Sequence, residues 1–198
     1  MKTLYAVVLA LASTLAFGQS PYVKVTTNNG TVTLKNTSGQ GIVLIVGNIT
    51  LNGHNVVNPD TKGPGQFSHE FFFDEGGFAA GDSMDWETKA PQEPRAFNYS
   101  IVPTFVQFDD GTTWGTRDSR VDSVIASRTL KIAYLRKLTE SASFTAALNE
   151  KTANPAEADA QRRVKDWIDG VGMGVPAAMA RVKQLLATGT ARQNSGKF

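Results

Sequence analysis

The 198-residue chain contains no cysteine. It therefore has no disulfide framework, no thiolate zinc site and no thiol to carry an acyl chain after processing. Histidine occurs only twice, at His54 and His69, which leaves little imidazole for metal binding or base catalysis. No serine sits in a Gly-x-Ser-x-Gly elbow. The one run of spaced glycines, Gly170-x-Gly-x-Gly, has no strand before it and no lysine closing it, so it reads as a flexible joint rather than a phosphate loop. These gaps predict no catalytic residue, no metal and no cofactor.

Long apolar runs are missing except at the start. Lys2 is followed by an apolar or small run from Ala6 to Phe17, and Ala16-Phe17-Gly18 places small residues before a cut. This is the layout of a signal peptide, and it falls short of the roughly 20 apolar residues that a membrane span needs. Residues 1–18 are expected to be removed near Gly18-Gln19, giving a secreted or periplasmic protein with no transmembrane span. Export without cysteine suits a Gram-negative envelope. Four sequons, at Asn29, Asn36, Asn48 and Asn98, fit the glycosylation pattern but also suit ordinary strands and turns.

What is present changes character near Gly115. From Gln19 to Arg117 short β-favouring runs alternate with Gly, Asn, Asp and Pro clusters, with 6 basic and 10 acidic residues. From Asp118 onward alanine and long charged side chains dominate, with 13 basic and 8 acidic residues. The expected fold class is α+β: an antiparallel β unit over 19–116, a helical region of about three helices over 117–189, and a flexible tail over 190–198.

Within the β unit, Tyr22–Thr27 and Thr31–Leu34 alternate around Asn29-Gly30, and the unbroken run Ile42–Val46 suits a strand buried on both faces. Phe67–Phe73 is an aromatic-rich strand candidate. Phe97–Phe108 is the longest, and Pro103 inside it demands an edge or a bulge. Asp109-Asp110-Gly111 reads as a hairpin turn. In the helical region Asp118 or Ser119 caps a helix whose apolar stripe runs Val121, Ile125, Arg128, Ile132, Leu135 and Leu138, widened by Val124 and Leu130. That helix either reaches Leu148 or breaks near Ser141. Asn154-Pro155-Ala156-Glu157 starts a second helix ending at Gly170, and Pro176 opens a third that stops at Gly189.

Three stretches of the β unit carry a resemblance: Thr31-Val-Thr-Leu-Lys-Asn-Thr-Ser-Gly-Gln-Gly-Ile-Val-Leu-Ile45, Phe78-Ala-Ala-Gly-Asp-Ser83 with Met84 and Trp86, and Phe105-Val-Gln-Phe-Asp-Asp-Gly-Thr-Thr-Trp114. Over roughly residues 22–115 the chain resembles secreted bacterial proteins with an immunoglobulin-like β-sandwich module. The resemblance implies two packed sheets without the antibody-type disulfide. It implies no activity, because this fold hosts many.

Phe71, Phe72 and Phe73, with Trp86 and Trp114, are the candidate binding residues, since aromatic side chains usually anchor interfaces. Strict alternation would turn Phe72 away from its neighbours, toward the helices or solvent. Arg128, alone in an apolar stripe, is expected to snorkel or to pair with a sheet carboxylate. His69 and Glu70 lie on opposite faces of a strand and cannot share one ion. The acids Asp82, Asp85 and Glu87, with Asp74 and Glu75, offer oxygens to calcium but lack the spacing of a calcium loop.

The expected function is a non-catalytic secreted or envelope module that binds another protein or envelope component, with no nucleic-acid partner. Two alternatives stand beside it. One is a carbohydrate-binding module stacking sugars on exposed Trp86, Trp114 or Tyr99. The other is a carboxylate-dependent hydrolase.

Overall fold

A computed structural model describes residues 20–28, 31–57, 65–73, 77–87 and 99–194. The export segment, the Asn29-Gly30 turn, Asp74 and Glu75 lie outside the described residues, as do two sequons (at Asn29 and Asn98) and the last four residues. Eight strands are followed by four helices: β1 Val23–Asn28, β2 Thr31–Asn36, β3 Ile42–Leu51, β4 His54–Asn55, β5 Gln66–Glu70, β6 Ser83–Glu87, β7 Tyr99–Phe108, β8 Thr113–Gly115, then α1 Ser119–Glu140, α2 Phe144–Asn149, α3 Pro155–Lys165 and α4 Val175–Asn194. A π-helical turn, Asp166–Gly170, extends α3.

All strand pairs are antiparallel. One sheet has the order β1-β2-β6. In the other β3 lies between β7 and β5, with β8 beyond β7 and the two-residue β4 on the distal end of β3. Alternation drives the facing of the sheets: Val23, Val32 and Leu34 turn inward while Lys24, Thr26 and Lys35 stay in water. Their apolar faces share one core with Ile42, Ile45, Phe67, Phe71, Phe78, Ile101, Val106 and Phe108.

The run Ile42–Val46 is buried along its whole length. Ile42 and Ile45 reach the core between the sheets although they are three positions apart, because the pairing with β7 shifts register between Ile42 and Leu44. Leu44 and Val46 point the other way, beneath Val121, Val124 and Ile125 of α1. Helix α1 thus lies over this face of the second sheet, and the other helices join it in a core of their own. Pro103 is accommodated by a second register shift, where Val46 pairs with Phe105 but Gly47 pairs with Pro103. Gly47 is required there, since a Cβ would lie 2.7 Å from the Val102 carbonyl oxygen.

The helical layer departs from the sequence expectation in number and extent. Four helices replace three because Ser141 adopts an extended backbone that ends α1, and the Ser143 hydroxyl caps α2 by accepting from the Ala146 amide. Asp118 caps α1, accepting from the Arg120 and Val121 amides. Asn154 caps α3 with Pro155 at its first turn, but Glu157 bonds the Thr152 hydroxyl instead of reaching back to the cap. Leu130 is exposed, and Tyr134 takes an interior place. Residues 190–194, expected within a loose tail, belong to α4, which passes Gly189 without stopping. No described helix is long and apolar enough to cross a membrane.

Candidate functional site

The five aromatic residues singled out above are placed in three different settings. Strand β5 ends at Glu70, not Phe73, so strict alternation lapses just where the phenylalanines begin. Phe71 turns into the core between the sheets and stacks on Phe78, with ring centroids 4.9 Å apart and planes 7° apart. Phe72 and Phe73 sit in the following turn and both enter the helical core, among Ile132, Leu135, Leu138 and Trp167. All three are under 5 % exposed. They are interior to the chain, so the anchoring role expected of them at a partner surface is not open to these rings.

Trp86 and Trp114 are half-buried and occupy opposite ends of the facing sheets. Trp86 is on β6, an edge of the first sheet, and meets Phe67 of β5 in the second sheet edge-to-face, at 5.9 Å and 72°. Trp114 is on β8, the opposite edge of the second sheet. It meets Tyr22, just before β1, at 6.3 Å and 76°. Tyr22 in turn stands against Phe108 at 5.1 Å. Each tryptophan therefore closes one side of the core, on the polarity preference of aromatic rings for edge-to-face contact. The two indoles lie on different sheets, so they do not form the coplanar platform on one face that sugar stacking would use.

The polar residues form two further clusters. At the junction of sheet and helices, Arg128 of α1 is buried and donates from Nε to the Glu70 carboxylate of β5 and from Nη1 to Gln107 Oε1 of β7, at 2.9 Å. Its Nη2 finds no hydrogen-bond partner among the described residues. Lys131 Nζ lies 3.6 Å from Glu70 Oε2 and 2.8 Å from Asp159 Oδ2 of α3. Arg162 and Arg163 complete the group around Asp159. Burial pushes the Asp159 carboxyl up, but the Lys131 hydrogen bond and charge, with Arg162 and Arg163, outweigh it and hold the group below its ordinary 3.8. Arg128 thus pairs with a sheet carboxylate, as its isolated place in the stripe predicts. The participation of Lys131 and Asp159 was not predicted, because no local spacing links residues 28 positions apart on separate helices.

The second cluster surrounds Arg120, which donates to Asp118 Oδ2, to Asn48 Oδ1 at 2.6 Å and to the Gly47 carbonyl. It ties α1 to β3 beside a cleft of about 160 Å³, lined by Val46, Gln66, Phe67, Ser68, Ser123 and Val124. The amide oxygen of the Asn48 sequon is engaged here. At the Asn36 sequon the side chain is fully buried, donating to the Gln40 and Phe78 carbonyls and accepting from Ser38. In the folded chain that nitrogen is not open to a glycan.

His69 and Glu70 do point apart: the His69 ring lies 4.5 Å from that of Phe71, whereas Glu70 faces α1. Among the described residues no group of three or more His, Asp or Glu side chains is gathered as a metal site. Asp82 accepts from the Ala79 amide and Asp85 from the Thr33 hydroxyl. Asp110 accepts from the Thr112 hydroxyl and amide, which lowers its pKa, and Gly111 takes φ 86°, so this pair of acids shapes a hairpin turn. No protein family model, curated protein or solved structure matches the chain.

Proposed function

We propose that this chain is a non-catalytic secreted or envelope protein whose β half is an immunoglobulin-like sandwich that engages another protein. The observation that carries the reading is the strand order. A three-strand sheet, β1-β2-β6, faces a sheet in which β5, β3, β7 and β8 are neighbours, and the chain passes between sheets after β2, β5 and β6. Sandwiches of that kind also pass repeatedly between their two sheets, which supports the reading. Helix α1 packs on the outer face of the second sheet, and the first sheet keeps its polar outer face and both edge strands. Strands β1 and β6 each pair on one side only among the described residues, and an edge of this kind accepts an extended partner segment through main-chain hydrogen bonds.

The test is capture from an envelope extract by the immobilised chain, compared with a chain carrying Lys24→Glu and Asp85→Lys on the exposed edges. A discrete protein captured by the parent and lost from the variant supports the reading. Measurable turnover of a glycan or peptide by the purified chain would overturn it.

A further inference from the structure

We propose that the junction between the second sheet and the helices is an acid-released latch: loss of its carboxylate charge frees the helical layer while the core between the two sheets stays closed. The groups facing one another there are Glu70 from β5, Gln107 from β7, Arg128 and Lys131 from α1, and Asp159, Arg162 and Arg163 from α3. His69 of β5 faces the opposite side, against Phe71, and Arg181 of α4 lies over Trp167. Among the described residues two carboxylates therefore stand against four cations. Arg128 cannot shed its proton in a protein and is 5 % exposed. One of its nitrogens is already without a partner among the described residues. Lys131 and Arg163 both stand over the Phe73 ring, at 5.4 and 4.9 Å. Neutralising the carboxylates leaves the buried Arg128 and the nearly buried Lys131 with no described carboxylate opposite them, and an unpaired buried charge is strongly disfavoured.

The effect is confined to this layer by the composition of the others. The core between the sheets is built chiefly from apolar side chains, which do not respond to protons, with the His69 ring against Phe71 at its side. Apart from the charged group, α1 meets the sheet through a small apolar patch of Leu44, Val46 and Phe105 against Val121, Val124 and Ile125 and through the hydrogen bonds of Arg120 to Asn48 and Gly47. Phe72 and Phe73 lie in a turn beyond β5, so they travel with the helices, and the break falls beside Phe71. Asp159 takes up its proton below 3.8, which places release on the acid side of that value.

Hydrogen exchange of the full chain read by mass spectrometry, normalised for intrinsic exchange rates at pH 7.5 and pH 3, tests this. The expected result is at least a tenfold loss of protection over residues 119–131 at low pH, with β2 and β6 changed less than threefold. Glu70→Gln with Asp159→Asn should show the same loosened pattern already at pH 7.5. Should that chain not fold, Glu70→Met with Arg128→Met removes the buried charge and should cut the acid-induced loss to less than threefold. Equal loss of protection in all strands and helices, no loss in α1, or undiminished acid release in the Met–Met chain would each overturn the proposal.

Discussion

Trp86 and Phe67 meet edge-to-face across the open side of the two sheets, with 5.9 Å between ring centroids. Truncating a large core aromatic costs about 3–5 kcal/mol when it is fully buried, and Trp86 is half-buried. Trp86→Ala should therefore lose roughly 2–3 kcal/mol in urea unfolding. A double-mutant cycle with Phe67→Ala should return a coupling of about 0.5–1.5 kcal/mol. Trp114→Ala, at the opposite edge, should add to Trp86→Ala without coupling. A coupling near zero between Trp86 and Phe67 would show that their contact is incidental.

The Arg128–Glu70 pair predicts an asymmetry. Glu70→Ala leaves a buried guanidinium without its carboxylate and should cost about 3–5 kcal/mol at neutral pH. Replacing both residues by methionine should cost far less, because no charge is left to compensate. Chemical denaturation of the three chains decides this. A double variant as weak as the single one would refute the account.

Stability should fall in acid through carboxylates whose folded-state values are depressed. Asp118 is lowered first by its hydrogen bond from Arg120, against the raising effect of burial, and Asp159 is lowered as described. A depressed carboxylate contributes stability that is complete above its unfolded value, near 3.8, and is lost as pH drops through the folded one. The melting temperature should be flat from pH 7 to about 5 and decline below 4. Asp118→Asn keeps a capping oxygen but no charge. It should shift neutral-pH stability by less than about 1 kcal/mol and shallow the acid decline.

Gly115 has φ 91°, and a Cβ there would lie 2.1 Å from the Thr104 carbonyl oxygen. Gly115→Ala should destabilise by about 1–3 kcal/mol, while Gly53→Ala, with nothing within 4 Å, should cost less despite its own positive φ. Thermal melts of both chains test the ranking.

Residues 117–198 expressed alone should not form a fixed tertiary structure, because Phe72 and Phe73, both 3 % exposed, complete the helical core from outside that segment. Helical far-ultraviolet signal without dispersed amide resonances is the expected outcome. A well-dispersed spectrum would contradict it. For the same reason the whole chain should unfold in one transition at neutral pH.

Much of this layering is legible residue by residue. The run Ile42–Val46 announces burial on both faces because no polar residue interrupts it, and the structure supplies a sheet on one side and α1 on the other. Pro103 announces an edge or a bulge because it cannot donate to the ladder, and the structure supplies the bulge; Arg128, alone in an apolar stripe, announces snorkelling or a carboxylate partner, and the structure supplies Glu70. The fate of Phe71–Phe73 is not legible, since where β5 stops depends on pairing with β3 rather than on local alternation. The α1–α2 break near Ser141 is legible only as one of two readings, because Phe144, Ala147 and Leu148 continue the helical spacing across it. The partners of Lys131 and of the two tryptophans are set by tertiary proximity that no local pattern encodes.

The two rings lent by the β half to the helical half also bear on how such a protein is inherited. A gene fragment ending near residue 116 would carry away Phe72 and Phe73, leaving each product with surfaces shaped for an absent neighbour. The halves are therefore poor material for recombination with foreign modules, and insertions at that seam should be tolerated only where both rings still reach home.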